Sequence, residues 1–152
     1  EAIILIGHYS EQEGEAELLN VFIDAAFMAI DNRRKEHGKV LYLSYYSQLK
    51  TPSKNTFTYE LLQKLHADPE RFEGLKEAMP VDQERLLAIN PECLIIASLD
   101  PAAMKARFER DPIFQGFKGS IYFLDDEVQQ AASQYAVLAY FDLVQAITGK
   151  PL

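Results

Sequence analysis

The stretch VDQERLLAINPECLIIASLD, residues 81–100, decides the fold. A short amphipathic segment runs into Asn90-Pro91. That pair ends helices, because the residue before a proline is pushed out of the helical region. The apolar run Cys93, Leu94, Ile95, Ile96, Ala97 follows and stops at Ser98-Leu99-Asp100-Pro101. A short apolar run without alternation reads as a strand buried on both faces, as in a parallel sheet covered by helices. Asp100 then caps a new helix with Pro101 at its first position. Glu84 is the odd residue. Leu86, Leu87 and Ile89 supply the packing face of its helix, which leaves Glu84 free to point outward. Placement near the positive end of the helix dipole is a sufficient local reason, worth ~0.3–1 kcal/mol.

Outward from that stretch, helix and strand alternate. GEAELLNVFIDAAFMAIDNRRKEHG reads as a helix with Leu18, Leu19, Phe22, Ala25, Ala26 and Ala29 on one face. Acids open it, bases close it, and Gly38 marks the stop. KVLYLSYY reads as a first buried strand, Val40–Tyr45, and QLKTPSKN as a polar, turn-rich loop. TFTYELLQKLH is a short helix capped by Asn55 or Thr56, and residues 67–80 are irregular. After the central strand, Cys93–Ala97, and the helix begun by Pro101, a third strand is expected at Ile121–Leu124. The last helix runs through SQYAVLAYFDLVQAIT, starting between Glu127 and Ser133.

Strands separated by helices imply right-handed crossovers and a parallel sheet with helices on both faces. The expected fold is a three-layer α/β lobe, one domain over residues 1–152. Ligands in such folds sit at the carboxyl ends of the strands. Those ends lead into residues 45–55, 98–101 and 125–133. Tyr45, Tyr46, Gln48, Lys54, Asp100, Asp126 and Gln129 are therefore expected along one concave edge.

Composition narrows the function. The chain has 152 residues, 48% of them hydrophobic, with nine Phe, eight Tyr and a net charge of −8. That is enough for one packed core. An acidic chain without a basic stripe is a poor match for nucleic acid or anionic lipid. The basic cluster NRRKEHGK falls at a helix end and complements its dipole. The single cysteine, Cys93, cannot form an internal disulfide and reads as a buried structural thiol. AIILI near the start is far short of the ~20 apolar residues that span a bilayer. The opening, apolar and without Met or cap, looks like the cut end of something longer.

The common catalytic signatures are absent: no GxGxxG, Walker loop, GxSxG or HExxH. His8, His37 and His66 are scattered without metal-ligand spacing. Asp125, Asp126 and Glu127 are the best chemical candidates, since adjacent acids at a strand end can bind a divalent metal or act as an acid/base pair. The simpler reading is that Asp125 or Asp126 caps the next helix. A receiver domain also carries an Asp pair, but after its first strand rather than its last. Tyr42, Tyr45 and Tyr46 read either as core and rim packing or as a stacking surface for a flat ligand.

VDQERLLAINPECLII resembles the segment that introduces the central strand in the C-terminal lobe of ABC-importer substrate-binding proteins, the class serving ferric siderophores, haem and cobalamin. In that family a short helix with Glu and paired Leu precedes Asn-Pro-Asp and a buried strand. Here these are Glu84, Leu86, Leu87, Asn90, Pro91 and Glu92. RFERDPIFQGFKGSIYFLDDE and ASQYAVLAYFDLVQAI resemble the family's helix, turn, aromatic strand and closing helix. GHYSEQEGEAELLNVF resembles the end of its interlobe helix and the helix that follows. Two elements depart from the pattern: LHADPERFEG stands where Gly-Gly-x-Asn is frequent, and Ser133-Gln134-Tyr135 where Ser-Pro-Arg is frequent.

The resemblance implies a non-enzymatic binding lobe without a cofactor. Residues 1–10 would end the interlobe helix, and an N-terminal lobe of the same chain would supply the other half of the site. The implied cargo is a ferric siderophore or haem, with cobalamin as a further class. The implied partner is a membrane permease, docked through Glu84 at the position of the family's C-lobe acid. The implied location is extracytoplasmic, either periplasmic or as a lipoprotein at the cell surface. The alternative that the residues leave open is a stand-alone metal-dependent hydrolase or phosphatase using Asp125, Asp126 and Glu127.

Overall fold

A computed structural model describes residues 7–33, 39–67, 69–112, 114–130 and 136–148. The chain divides into two compact units, residues 36–130 and residues 1–35 with 131–152. Residues 1–6 of the expected interlobe-helix end, and the Gly38 stop, lie outside the described residues.

The larger unit is built on a four-stranded sheet. Its strands are β1 (Val40–Tyr45), β2 (Leu49–Lys50), β3 (Cys93–Ser98) and β4 (Ser120–Asp125), in the order β2-β1-β3-β4. β1, β3 and β4 are parallel, with Leu41 opposite Leu94 and Leu94 opposite Ile121. The three strands expected from the sequence are thus the three parallel strands. All six residues of β3 are buried, as a central strand without alternation requires. Gly119 sets up β4. A Cβ there would lie 2.5 Å from the Pro91 carbonyl oxygen, a close approach that only glycine permits.

Helices of this unit are α2 (Phe57–Lys64), α3 (Gln83–Ile89), α4 (Pro101–Arg110) and α5 (Asp126–Gln130). The capping residues do what their chemistry suggests. Thr56, Asp82 and Asp100 accept from Tyr59, Arg85 and Ala103 backbone N–H groups. Asn90 ends α3 in the left-handed conformation, φ 44°. One sheet face, Leu41, Leu43, Leu94 and Ile96, packs with Leu86 of α3 and Met104 and Phe108 of α4. Thr58 of α2 donates to the Gln129 carbonyl of α5 at 2.7 Å.

Two expectations are corrected here. The loop QLKTPSKN contains β2, which pairs antiparallel with the end of β1. Leu49 is its buried residue, and Val81 N donates back to the Leu49 carbonyl at 2.9 Å. Thr51 completes the tie: its hydroxyl donates to the Lys76 carbonyl, and Met79 N donates to it at 2.8 Å. A two-residue strand is too short to show a period, so it reads as loop. In α3, Leu86 is fully buried and Ile89 joins the core, but Leu87 is exposed.

In the other unit, α1 (Glu13–Arg33) and α6 (Ala136–Thr148) pack together, with the Phe27 and Tyr140 rings 4.8 Å apart. The inward residues of α1 are Ala16 and Ile23, not the expected set; Leu18 and Phe22 are exposed. The helix is apolar on two faces, so periodicity alone chose the wrong one.

Candidate functional site

The parallel register aligns the strand ends. Tyr45 pairs with Ser98, and Ser98 with Asp125, so one rung closes the carboxyl edge of the sheet. The chain leaves this rung on both sides. Side chains alternate along a strand, so Tyr45 shares the side of Leu41 and Leu43, while Tyr42 and Ser44 share the opposite one.

On the first side lies a cavity of about 550 Å³, lined by Tyr45, Gln48, Glu84, Arg107, Phe108 and Phe114 among others. Arg107 donates to the Tyr45 hydroxyl, and its guanidinium carbon sits 5.3 Å from the Tyr45 ring centroid. This is a cation held over an aromatic face. Phe108 stacks on Phe114 with centroids 3.9 Å apart and meets Phe123 edge-on, so the floor is aromatic. Gln83 donates to Asp111 at 3.0 Å across the mouth. Glu84 is exposed in the first turn of α3, at the rim of the same cavity.

On the second side the polar groups turn inward. Asp126 is only 2% exposed, and one of its oxygens accepts from Tyr46 and from Gln130. Its other oxygen, Oδ1, has no hydrogen-bond partner among the described residues. The Tyr42 hydroxyl is buried beside this group. Burial first, and the Asp126 charge second, push the Tyr42 phenol far above its usual value. Burial and the bond to Asp126 also raise Tyr46. A smaller cavity of about 340 Å³ opens here, lined by Ser44, Tyr46, Lys50, Thr58 and Gln130 among others.

The expected site residues fall into three groups. Tyr45 and Gln48 line the larger cavity and Tyr46 the smaller. Asp126 and Gln129 are buried behind Tyr46 rather than open at the edge. Lys54 and Asp100 are exposed and otherwise engaged: Lys54 pairs with Glu70 at 2.7 Å, and Asp100 caps α4. The Glu70 carboxylate raises the Lys54 ammonium and is itself lowered by it.

Arg107 and Gln130 were not among the expected residues. Gln130 had a signal, since Asp126 and Gln130 stand four apart on one helix face. Arg107 had none, because its partner Tyr45 is 62 residues away. Asp125 accepts from Glu127 N at 2.9 Å, the capping role. No group of three His, Cys, Asp or Glu is gathered for a metal among the described residues. His8 and His66 are exposed, and His37 lies outside the described residues. The Cys93 thiol is buried and pushed up to about 12 by desolvation, which keeps it unreactive at neutral pH.

No protein-family model matches the chain, and no curated protein matches it significantly. Solved structures do match. An ABC transporter substrate-binding protein from Listeria monocytogenes EGD-e superposes with a TM-score of 0.74 at 18% identity, over 98% of this chain and 63% of that one. The periplasmic heme-binding protein BhuT in complex with two hemes gives 0.74 at 17%, over 97% and 60%. The triscatecholate siderophore binding protein FeuA from Bacillus subtilis, complexed with ferri-bacillibactin, gives 0.72 at 14%, over 93% and 56%. The class of fold is therefore that of these ABC-importer binding proteins: a mainly parallel sheet flanked by helices. The chain spans about 56–63% of the length of these structures. No helix among the described residues is long and apolar enough to cross a membrane.

Proposed function

We propose that this chain is the C-terminal lobe of an extracytoplasmic substrate-binding protein. It captures an iron compound, a ferric siderophore or haem, with a second, N-terminal lobe and delivers it to an ABC permease. The lobe is a binding module and carries out no reaction. The observation that supports this most is the likeness of fold over nearly the whole chain to proteins described as binding heme and ferri-bacillibactin. The carboxyl edge agrees with it: the aromatic side chains Tyr45 and Tyr46 and the Arg107 cation stand at the mouths of two cavities. Flat aromatic cargo stacks on such rings, and anionic groups pair with guanidinium.

In this reading Tyr45, Tyr46, Gln48, Lys54 and Asp100 face the ligand, Asp126 and Gln130 hold Tyr46 from behind, and Gln129 ties α5 to Thr58 of α2. A single lobe supplies only part of the contacts and cannot exclude water by closure, so its affinity is weak. The test is to titrate this chain, and a form carrying both lobes, with haem and with ferric catecholate and hydroxamate siderophores. Binding by the two-lobe form that is at least about tenfold tighter, the equivalent of ~1.4 kcal/mol, is expected. Equal, tight affinity for both forms would remove the shared interlobe site.

Glu84 is the proposed permease contact. It is exposed, stands in the first turn of a capped helix, and no described ion pair uses it. Exposed pairs contribute ~0–1 kcal/mol, but charges desolvated in an interface couple by ~1.5–7 kcal/mol. Glu84→Arg in the two-lobe protein is therefore expected to lower permease-dependent uptake far more than ligand affinity, which it touches only from the cavity rim, while thermal stability holds. Normal uptake with the reversed charge takes Glu84 out of the docking surface. Loss of ligand binding together with uptake places it in the pocket or the fold.

A further inference from the structure

Among the described residues of the larger unit, three large apolar side chains are exposed: Tyr46, Leu87 and Leu99. Two of the three leave the carboxyl edge of the sheet side by side. Tyr45 of β1 stands opposite Ser98 of β3, and Tyr46 and Leu99 are the next residues of those two strands. Tyr46 is 57% exposed and Leu99 62%. Single exposed apolar residues are ordinary, but two together where an α/β sheet takes its ligands mark a contact surface. The Tyr46 ring is a fixed plate, because its hydroxyl donates to Asp126 and accepts from Gln130. Burial and the bond to Asp126 raise the phenol, so it stays protonated and is not a phenolate ligand for a metal. What Tyr46 offers outward is the face of its ring.

We propose that Tyr46 and Leu99 form a platform for the flat face of a planar aromatic macrocycle carrying carboxylates on one edge, the chemical class of haem, and that the smaller cavity takes the carboxylate edge. This rests on the reading of the chain as a lobe that binds an iron compound, and it chooses between the two cargo classes of that reading. The strand order β2-β1-β3 places Lys50, Tyr46 and Leu99 in sequence across the sheet. Lys50 and Tyr46 both line the smaller cavity, together with five Ser and Thr side chains and, among the described residues, no acid. An ammonium among hydroxyls suits a carboxylate. The larger cavity has the opposite balance. Its charged lining residues are Asp82, Glu84 and Asp111 against Arg107, and Arg107 already lies on Tyr45. A ferric tris-catecholate is a trianion and would meet those three carboxylates. Its rings also stand as a propeller rather than as one extended face. A ferric tris-hydroxamate is neutral but has no flat aromatic face at all. A planar macrocycle keeps its anionic groups at one edge, where they can turn away from the acids.

Opposing this occupant are the net charge of −8 and the Asp126 carboxylate behind the Tyr46 ring, one oxygen of which is already served by two donors. The contact from this lobe is one apolar face and one lysine, so the lobe alone holds the macrocycle weakly.

Absorbance and fluorescence titrations of this chain and of a two-lobe form test the platform. The probes are hemin, metal-free protoporphyrin, its dimethyl ester, ferri-bacillibactin and a ferric tris-hydroxamate. This chain is expected to bind hemin and metal-free protoporphyrin within about threefold of each other, because it touches the face and not the iron. Tyr46→Ala and Leu99→Ser are each expected to weaken both at least about tenfold. The dimethyl ester is expected to bind at least about threefold more weakly than the diacid, and Lys50→Glu to remove that difference. Leu99 lies outside the hydrogen bonds of Asp126, so its arm stands even if Tyr46→Ala fails to fold. A ferric siderophore bound in place of the porphyrins overturns the platform and leaves the binding-protein reading intact. Porphyrin binding indifferent to Leu99→Ser is adsorption at another apolar surface and overturns it. Binding of hemin without the metal-free ring overturns it too, since the contact is then to the iron. If neither form binds any of the probes, the reading as a binding protein for iron compounds falls first and the platform with it.

Discussion

Tyr45 and Tyr46 are neighbours in the chain and end on opposite sides of the sheet. Tyr45 goes to the side of the apolar core, where an exposed guanidinium lies against its ring. Tyr46 goes to the other side, where its hydroxyl donates to a carboxylate that is almost fully buried. The two phenols therefore differ in what they hold rather than in what they are. One meets a solvated cation, which costs little to leave alone. The other satisfies a desolvated anion, which is expensive to leave alone. At a strand end, the two-residue pleat decides the chemistry of a side chain more than its place in the chain.

The largest consequence of this difference concerns Tyr46→Phe. It deletes one of the two donors to Asp126 and keeps the ring. A buried acceptor that loses its donor costs ~1–3 kcal/mol, so a drop of that size in unfolding free energy is expected in urea. Tyr45→Phe removes only an acceptor from an arginine that solvent can satisfy, and its effect is expected to be smaller. Equal losses for the two variants would mean that the two sides of the edge are energetically alike.

Much of this architecture was legible in the sequence because its elements are simple. Continuous burial of Cys93–Ser98 leaves a continuous apolar run, and Asp100-Pro101 states the next helix start in two residues. Three parallel strands followed from three such runs separated by helices. β2 was not legible because its only buried residue, Leu49, sits in a polar stretch, and the segment is held by bonds some thirty residues on, Leu49 to Val81 and Thr51 to Met79. The inward face of α1 was misread for a different reason: a helix with two apolar stripes offers periodicity two answers. For the site, the strand ends were legible and the sides were not. Nothing in the linear order of Tyr45 and Tyr46 tells which of them meets Arg107 and which meets Asp126.

A middle-sized effect tests the amino end of the same sheet against its carboxyl end. Cys93 opens β3 on the side of Tyr42, far from either cavity, and its thiol is pushed up to about 12 by burial alone. In the unfolded chain a thiol titrates near ~8.5. The folded value is raised, so the contribution is fully present below ~8.5 and is lost as pH rises toward about 12, because only the unfolded chain releases the proton. Between neutral pH and pH ~9.5 a loss of about 1 kcal/mol is expected from this group, since one unit of titration range is worth ~1.4 kcal/mol. Comparing the pH dependence of Cys93→Ala with that of the parent isolates it. Identical slopes for the two proteins would show that the thiol is not desolvated, and that the amino end of the sheet is as open as the carboxyl end.

The smallest effect belongs to Arg107. Its side chain is exposed, its contact with Tyr45 is a single stacked cation with one hydrogen bond, and water replaces both when the residue is removed. Cation–π pairs at exposed sites are worth ~0.5–1 kcal/mol. Arg107→Ala is therefore expected to lower unfolding free energy by no more than about 1 kcal/mol. Arg107→Lys keeps the charge but loses the planar stack and the fork of donors. If the guanidinium serves an anionic cargo, both variants weaken ligand affinity far more than they weaken the fold. A loss of stability as large as that of Tyr46→Phe would instead make Arg107 part of the framework. The two sides of the edge would then be two halves of one structural clamp, and the anionic group of the ligand would have to be sought at another residue.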